Sequence, residues 1–313
     1  MKRRWIVLTI IIAALIAAPH VLGTYYRGML TEAIIFGLYC LGFDIIFGFT
    51  GLLNFGVAAF FGLGGYLLLL SVVHLHTGIW GALLIMLVGS AIFSLVYGMG
   101  ISRFKSHYFV AFTIVISMIL FYIAMALRPI TGGDEGITFN VPALYLGVTS
   151  LEYVGHVRYY FPLVVSGLTL LLVWLFFQTP YGRAIIAVRE NEDRARLIGY
   201  DTARLKVVAF ALSGVVCSLG GALYTLHLAF TSAHSFFWIW TARAVWWTVI
   251  GGAGTLFGAF VGPGVLVFFE DFLGTWNSDL YLIIMGLIMI IAIIFAPQGI
   301  VRLVQTAFAK KRK

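Results

Sequence analysis

Long uninterrupted apolar runs recur along this chain, at about residues 5–22, 29–49, 52–73, 79–101, 108–128, 159–178, 206–229 and 280–297. A helix needs roughly 20 mostly apolar residues to cross the hydrocarbon core of a bilayer, so each run has spanning length. A further apolar region, 242–272, is interrupted by glycines. The runs do not alternate and are too long for barrel strands, which predicts an all-α polytopic membrane protein with about 9–10 spanning or partly spanning helices. With 62% hydrophobic and only 10% charged residues, a soluble domain is excluded. The whole of 1–313 reads as one transmembrane domain. Cys40 and Cys217 both fall inside apolar runs, where a small packing residue is expected rather than a disulfide.

The start, MKRRWIVLTIIIAALIAAPH, has the basic residues and short apolar core of a secretory signal, and Ala17-Ala18 could belong to a cleavage site. Retained as a first span or removed, it leaves the chain outside near residue 25. Positive charge collects in cytoplasmic loops. With the N-terminus inside, Lys2, Arg3, Arg4, Arg103, Lys105, residues 179–206 and the tail from Arg302 to Lys313 share the cytoplasmic side. Only Arg27, Arg128, Arg158 and Arg243 are then outside, the second of them beside an outer loop at about 129–158.

Under this topology, residues 242–272 must leave and return to the outer face, and they are too few for two full spans. A pair of short or broken helices, or a re-entrant segment, is expected, with the break at IGGAGTLFGAFVGPG. The earlier string FGFTGLLNFGVAAFFGLGG is similar. Gly48, Gly51, Phe55 and Gly56 align with Gly251, Gly254, Phe257 and Gly258 across a one-residue gap, as an internal repeat would. Repeats with interrupted helices are one way transporters build a pathway near the bilayer midplane. The alternative is that glycines at four-residue spacing only let helices approach closely, as Gly254, Gly258 and Gly262 would, and as Ser213, Cys217 and Gly221 would.

Residues 179–206, TPYGRAIIAVRENEDRARLIGYDTARLK, hold ten of the chain's thirty-two charged side chains. Thr179-Pro180 forms a cap and first-turn pair, and Tyr181, Ile185 and Val188 share a helical face. Asn191 can cap a second short helix with Glu192 and Asp193 in its first turn, ending at Gly199, and Asp201 or Thr202 can cap the next span. A loop that only sets topology needs neither the acids nor the caps.

Here the chain resembles a known family. Asp193-Arg194-Ala195-x-x-x-Gly199 has the spacing of the EAA loop of ABC importer permeases, with Asp for the usual Glu and Arg194 for the first Ala. The segment from Thr179 to Tyr224 is similar to that of branched-chain amino acid permeases of the M type. FDIIFGFTGLLNFG, TGGDEGI, VIGGAGTLFGAFVGP and APQGIV match in the same order, across residues 36–303. The pattern departs at Asn54, where serine is common, and at Val57, where many relatives carry histidine.

The resemblance implies a permease subunit in a bacterial inner membrane, paired with a second homologous permease, two ABC ATPase subunits and a periplasmic or extracytoplasmic binding protein. It implies ATPase coupling through Arg189, Glu192, Asp193, Arg194, Ala195 and Gly199. The candidate pathway residues are Asp44, Gly48, Gly51, Asn54, Gly251, Gly254 and Gly258. Urea or short amides are an alternative cargo. The chain has no G-x-x-x-x-G-K-[ST] phosphate loop, so ATP hydrolysis is expected from another chain, and no cofactor is implied.

Ionisable residues within spans are functional candidates. Glu32 can reach the outer interface or face a pathway, and Asp44, a turn before Gly48, can accept a free N–H of a broken backbone. His74-x-His76 lacks an evident third metal ligand. The KKRK tail suits anionic lipid rather than nucleic acid. A secondary transporter has no evident use for a docking helix, and a membrane enzyme would need a catalytic motif that the seven histidines do not form.

Overall fold

The computed structural model describes residues 2–101, 106–146, 149–276, 281–295 and 299–303. The basic residues Arg103, Lys105 and Lys310 to Lys313, and the first half of the APQGIV string, lie outside the described residues. The helices are α1 (Lys2–Val21), α2 (Thr24–Thr50), α3 (Val57–Val73), α4 (Ile79–Ile101), α5 (Ser106–Ala126), α6 (Arg128–Thr131), α7 (Val157–Gln178), α8 (Pro180–Glu190), α9 (Glu192–Leu197), α10 (Thr202–Leu228), α11 (Trp238–Gly251), α12 (Gly258–Trp276) and α13 (Tyr281–Phe295). The fold is all-α and polytopic, and six of these helices are long and apolar enough to span a bilayer.

Two helices form the centre. Within its most apolar stretch α2 is 89% buried and α10 67%, against 33%, 28% and 22% for α4, α5 and α7, which therefore present apolar faces outward. In lipid no hydrophobic force drives one apolar helix onto another, so close packing and interhelical hydrogen bonds must do so. The small residues of α10 serve this end. The Ser213 hydroxyl donates to the Gly42 carbonyl at 2.6 Å, the Cys217 thiol points at the Tyr39 carbonyl at 3.6 Å, and a Cβ on Gly221 would lie 1.9 Å from the Phe61 carbonyl oxygen. Both cysteines are free and buried.

At the end of the bundle away from α8 and α9, four strands of two or three residues among the described residues stitch the connections. β1 (Ile137–Thr138) pairs antiparallel with β4 (Phe230–Thr231), and β2 (Leu144–Leu146) pairs with β3 (Thr149–Leu151). His234 Nε2 meets Asp134 Oδ1 at 2.6 Å, tying the TGGDEGI loop to the segment after α10. Such strands are too short to show any alternation in sequence, so the 129–158 stretch reads there only as a loop.

The glycine-rich region 242–272 folds as two helices, α11 and α12, with residues 252–257 between them. They pack backbone to backbone: a Cβ on Gly262 would lie 1.8 Å from the Trp247 carbonyl oxygen, and one on Gly251 would lie 2.0 Å from that of Gly258. The similar string at 48–58 also breaks, with α2 ending at Thr50 and α3 starting at Val57.

Candidate functional site

The site is built from the charged segment and the two breaks. Thr179 accepts from the Gly182 N–H at 3.2 Å with Pro180 in the first turn of α8. Asn191, in an extended conformation, ends α8 and caps α9, accepting from the Arg194 N–H at 2.9 Å. Asp201 caps α10 through the Arg204 N–H at 3.1 Å. Gly199 takes φ +95°, which lets the chain turn after α9. Three side-chain caps within some twenty residues give a short, defined path where an isolated six-residue helix would not hold.

The seat of this segment is apolar. Ala184, Ile185, Val188 and Ala195 are buried. Tyr181, expected on the same face as Ile185 and Val188, is exposed instead. The inward position is taken by Gly182, where a Cβ would lie 2.4 Å from Phe177 Cα, so the turn leaves room for a glycine and none for a ring.

The charged residues divide into two sets. Glu192 turns inward, its Oε1 2.6 Å from Lys206 Nζ on α10 and 3.3 Å from Arg196 Nη2. Partial burial alone would raise the Glu192 carboxyl, but the hydrogen bond and charge of Lys206 outweigh it and hold the group below the ordinary glutamate value. Asp193 and Arg194 turn outward, and so does an apolar tip: Leu197 is 87% exposed and Ile198 73%. α9 is thus fastened to α10 on one side and presents a mixed charged and apolar surface on the other.

Arg189, at the end of α8, leans on both breaks. A Cβ on Gly51 would lie 3.2 Å from its Cγ, and one on Gly254 would lie 2.9 Å from its Nη1. Gly51 and Gly254 hold φ of +77° and +74°, a region that side chains with a Cβ adopt only with strain. Between the breaks is Asp44, fully buried in α2. Its Oδ1 accepts from the Gly254 N–H at 2.8 Å, while Oδ2 has no hydrogen-bond partner among the described residues. Arg189 and Arg302 act on its charge. The free N–H that Asp44 takes therefore belongs to the second break, not to the one that follows it in sequence. Gly48 fits against the same group, since a Cβ there would lie 2.3 Å from the Gly254 nitrogen.

Asn54 serves the first break directly, accepting from the Gly56 N–H at 2.8 Å. Two residues that carry no sequence signal complete it. Thr113 of α5 accepts from the Phe55 N–H at 3.1 Å. Thr241 of α11 donates to the Phe55 carbonyl at 2.9 Å and accepts from the Ala58 N–H at 3.2 Å. The structure thus brings Asp44, Gly48, Gly51, Gly254 and Arg189 together, and puts Gly251 and Gly258 between the backbones of α11 and α12. Lone threonines 58 and 183 residues away in sequence could not have been singled out beforehand.

Comparison with known proteins gives this geometry a family. The family described as "Branched-chain amino acid transport system / permease component" matches residues 25–293. The high-affinity branched-chain amino acid transport system permease protein LivM of Salmonella typhimurium is 25% identical, over 96% of this chain and 75% of its own. The probable branched-chain amino acid transport permease protein LivM of Methanocaldococcus jannaschii is also 25% identical, over 85% of this chain and 91% of its own. The ribose import permease protein RbsC of Bacillus subtilis is 29% identical, over 42% of this chain and 44% of its own. No solved structure matches. The family's match runs from the first turn of α2 to the last turns of α13 and takes in both breaks and the capped charged segment: the chain is a multi-pass membrane protein and belongs to the family of branched-chain amino acid transport permease components.

Proposed function

We propose that this chain is the membrane-spanning subunit of an ATP-driven importer that carries branched-chain or related amino acids into the cytoplasm. Its partners are a second homologous permease, two ATPase subunits and an extracytoplasmic binding protein. The amino acid cargo is supported by coverage, since the LivM relatives align along most of this chain and the ribose permease along less than half. Both termini and α8–α9 face the cytoplasm, and the 129–158 segment faces outward. A cysteine replacing Thr138, exposed in β1, should react with an impermeant thiol reagent in intact cells, and protection there would reverse the topology.

The observation that carries the reading is the placement of α9. Its inner side is fastened to α10 by the Glu192–Lys206 pair, and its outer side offers Asp193, Arg194, Leu197 and Ile198. Force applied there by a nucleotide-driven partner passes along α8 to Arg189 and so to the two breaks around Asp44. A rigid lever of this kind is what coupling through an interface requires, because packed elements shift between discrete arrangements and do not stretch. Asp44, Gly48, Gly51 and Gly254 are then the part of the pathway nearest the ATPases, with Asn54 holding the first break deeper in the bundle and Gly251 and Gly258 setting the spacing of α11 and α12.

Reversing the outward charges, Asp193→Lys with Arg194→Glu, leaves the Glu192–Lys206 fastening in place. The complex should lose its ATPases on purification, or hydrolyse ATP without uptake, while the spans insert normally. Unchanged ATPase binding and unchanged ATP-driven uptake in proteoliposomes would reduce this segment to a loop that only sets topology.

A further inference from the structure

At the end of the bundle opposite α8 and α9, α2, α10, α11 and α12 bring together ionisable groups that the coupling segment and the breaks do not use. Glu32 of α2 lies in the field of Arg243 on α11, Arg158 at the start of α7 and Asp271 on α12. Arg243 Nη2 faces Glu270 Oε2 of α12 at 3.9 Å. His227 Nε2 of α10 faces Glu32 Oε1, also at 3.9 Å. Both separations exceed a hydrogen bond, so neither contact is closed. Ionisable side chains within spanning helices mark pathways or relays when they face a bundle interior.

Aromatic rings surround the charges. Phe36, one turn below Glu32, packs on Tyr224, Trp240 and Trp247 at centroid distances of 5.1, 5.7 and 4.7 Å. The Arg243 guanidinium lies 5.2 Å from the centroid of Trp240 and 6.0 Å from that of Trp247. Stacking of this kind holds the planar fork while leaving its edge free to meet a carboxylate. Glu32 and Arg243 each keep a third of their side-chain surface open.

Two further observations point to a ligand. His227 is only 8% exposed at its side chain, yet its Nδ1 has no hydrogen-bond partner among the described residues, and a buried polar atom without a partner is costly. Beside the cluster is an open groove of about 530 Å³, lined by Tyr25, Tyr26, Met29, Phe268, Asp271 and Phe272 among others, which is an approach to the charges and not the station itself. Met29 is one helical turn from Glu32.

We propose that this cluster is a binding station for the zwitterion of a free α-amino acid, with Arg243 receiving the carboxylate, Glu32 the ammonium group, and the partly exposed rings of Tyr224 and Trp240, backed by the buried Phe36, the apolar side chain. This deepens the importer reading and rests on it. A mixed pair of charges suits a cargo that carries one charge of each sign. A sugar carries no charge to match either group, and a fatty acid would match only the arginine. The aromatic floor favours apolar side chains without fixing their branching, which leaves finer selection to the binding protein.

The test uses the complete complex with its binding protein in proteoliposomes and labelled L-leucine as the probe. Arg243→Gln and Glu32→Gln should each lower leucine uptake about tenfold, with assembly and ATP hydrolysis retained, so that more ATP is spent per leucine. Arg243→Lys keeps the charge but loses the fork and should fall between, at about threefold. If Arg243→Gln fails to assemble, the lysine variant decides: wild-type uptake by it overturns the proposal. The exchange Arg243→Glu with Glu270→Arg restores an ion pair but not the station, so full recovery of uptake in that double variant overturns it too. A wild-type complex that moves neither labelled leucine nor labelled valine, isoleucine or alanine defeats the amino-acid importer reading itself, whereas wild-type uptake unaffected by any of these changes defeats the station alone.

Discussion

The two glycine-rich breaks, 51–56 and 252–257, are alike in sequence and are held in different ways. The first runs inward among helices. Its end reaches Thr241, ten residues before Gly251 and so about 15 Å along α11 from the second break. Its backbone groups are taken by Asn54, Thr113 and Thr241, each nearly or wholly shielded from solvent. The second lies at the end of α11 beside α8, half open, and is held by its own Thr255, whose hydroxyl donates to the Gly252 carbonyl at 2.6 Å, and by the single carboxylate of Asp44. Irregular backbone within a membrane is tolerated only where protein or water satisfies it, and the first break meets that condition three times over. The contrast suggests a division of labour: the first break is a fixed part of the scaffold, and the second is a hinge whose position Asp44 and Arg189 can set.

The sharpest way to break this contrast is to crowd the first break. A Cβ on Gly56 would lie 2.3 Å from the Thr113 carbonyl oxygen, which is backbone and cannot swing aside. Gly56→Val should cost about 3 kcal/mol and abolish recovery of folded permease on size-exclusion chromatography. A normal yield would mean that the first break is as yielding as the second.

Thr241→Val keeps the shape and removes both hydrogen bonds to residues 55 and 58. A loss of about 1–2 kcal/mol is expected, read as a lower melting temperature in detergent. Uptake per surviving complex should stay near wild type, and a transport defect without a stability loss would contradict the scaffold role.

Gly254→Leu should behave in the opposite sense. The positive φ imposes a strain of about 1 kcal/mol, the approach of Arg189 Nη1 can be relieved by the flexible arginine, and the Gly48 carbonyl oxygen, 3.0 Å from the added Cβ, must give by a few tenths of an ångström. The complex should assemble, but the added bulk between Asp44 and Arg189 should block uptake. Gly51→Leu should do likewise, because Gly51 is at the exposed start of the first break, where the Arg189 side chain is the near neighbour. Poor assembly with normal uptake per complex would make both glycines packing residues.

The smallest effect concerns the fastening of α9. Because the Glu192 pKa is lowered in the folded protein, the stabilisation it provides is fully present above the ordinary glutamate value and is lost as pH falls through the lowered one. Glu192→Gln should remove this pH dependence from the hydrogen-exchange protection of α9 and cost under about 1 kcal/mol, since the pair is partly exposed and screened by salt. An unchanged pH profile in the variant would show that the apolar seat of Ala195 alone holds the helix.

The sequence by itself determined the helical, membrane-spanning class, because a bilayer leaves a backbone few choices and roughly 20 apolar residues per span declare themselves. It also marked both breaks, and it placed caps at Thr179, at Asn191 and at Asp201 or Thr202, of which the structure uses Asp201, since a cap is a local bond within three residues. That Asp44 would accept an N–H could be inferred from its place before Gly48; that the N–H is Gly254's could not, because the two lie 210 residues apart and only the pairing of α2 with α11 and α12 joins them. The same holds for Thr113 and Thr241 under the first break, for the division of α9 into an inward Glu192 and an outward Asp193 and Arg194, and for Glu32, Arg243 and Glu270, which come from three separate helices. Local chemistry is written in neighbouring residues. Which distant polar groups meet depends on how small residues such as Gly42, Ser213 and Cys217 let particular helices approach, and that was decided only by tertiary packing.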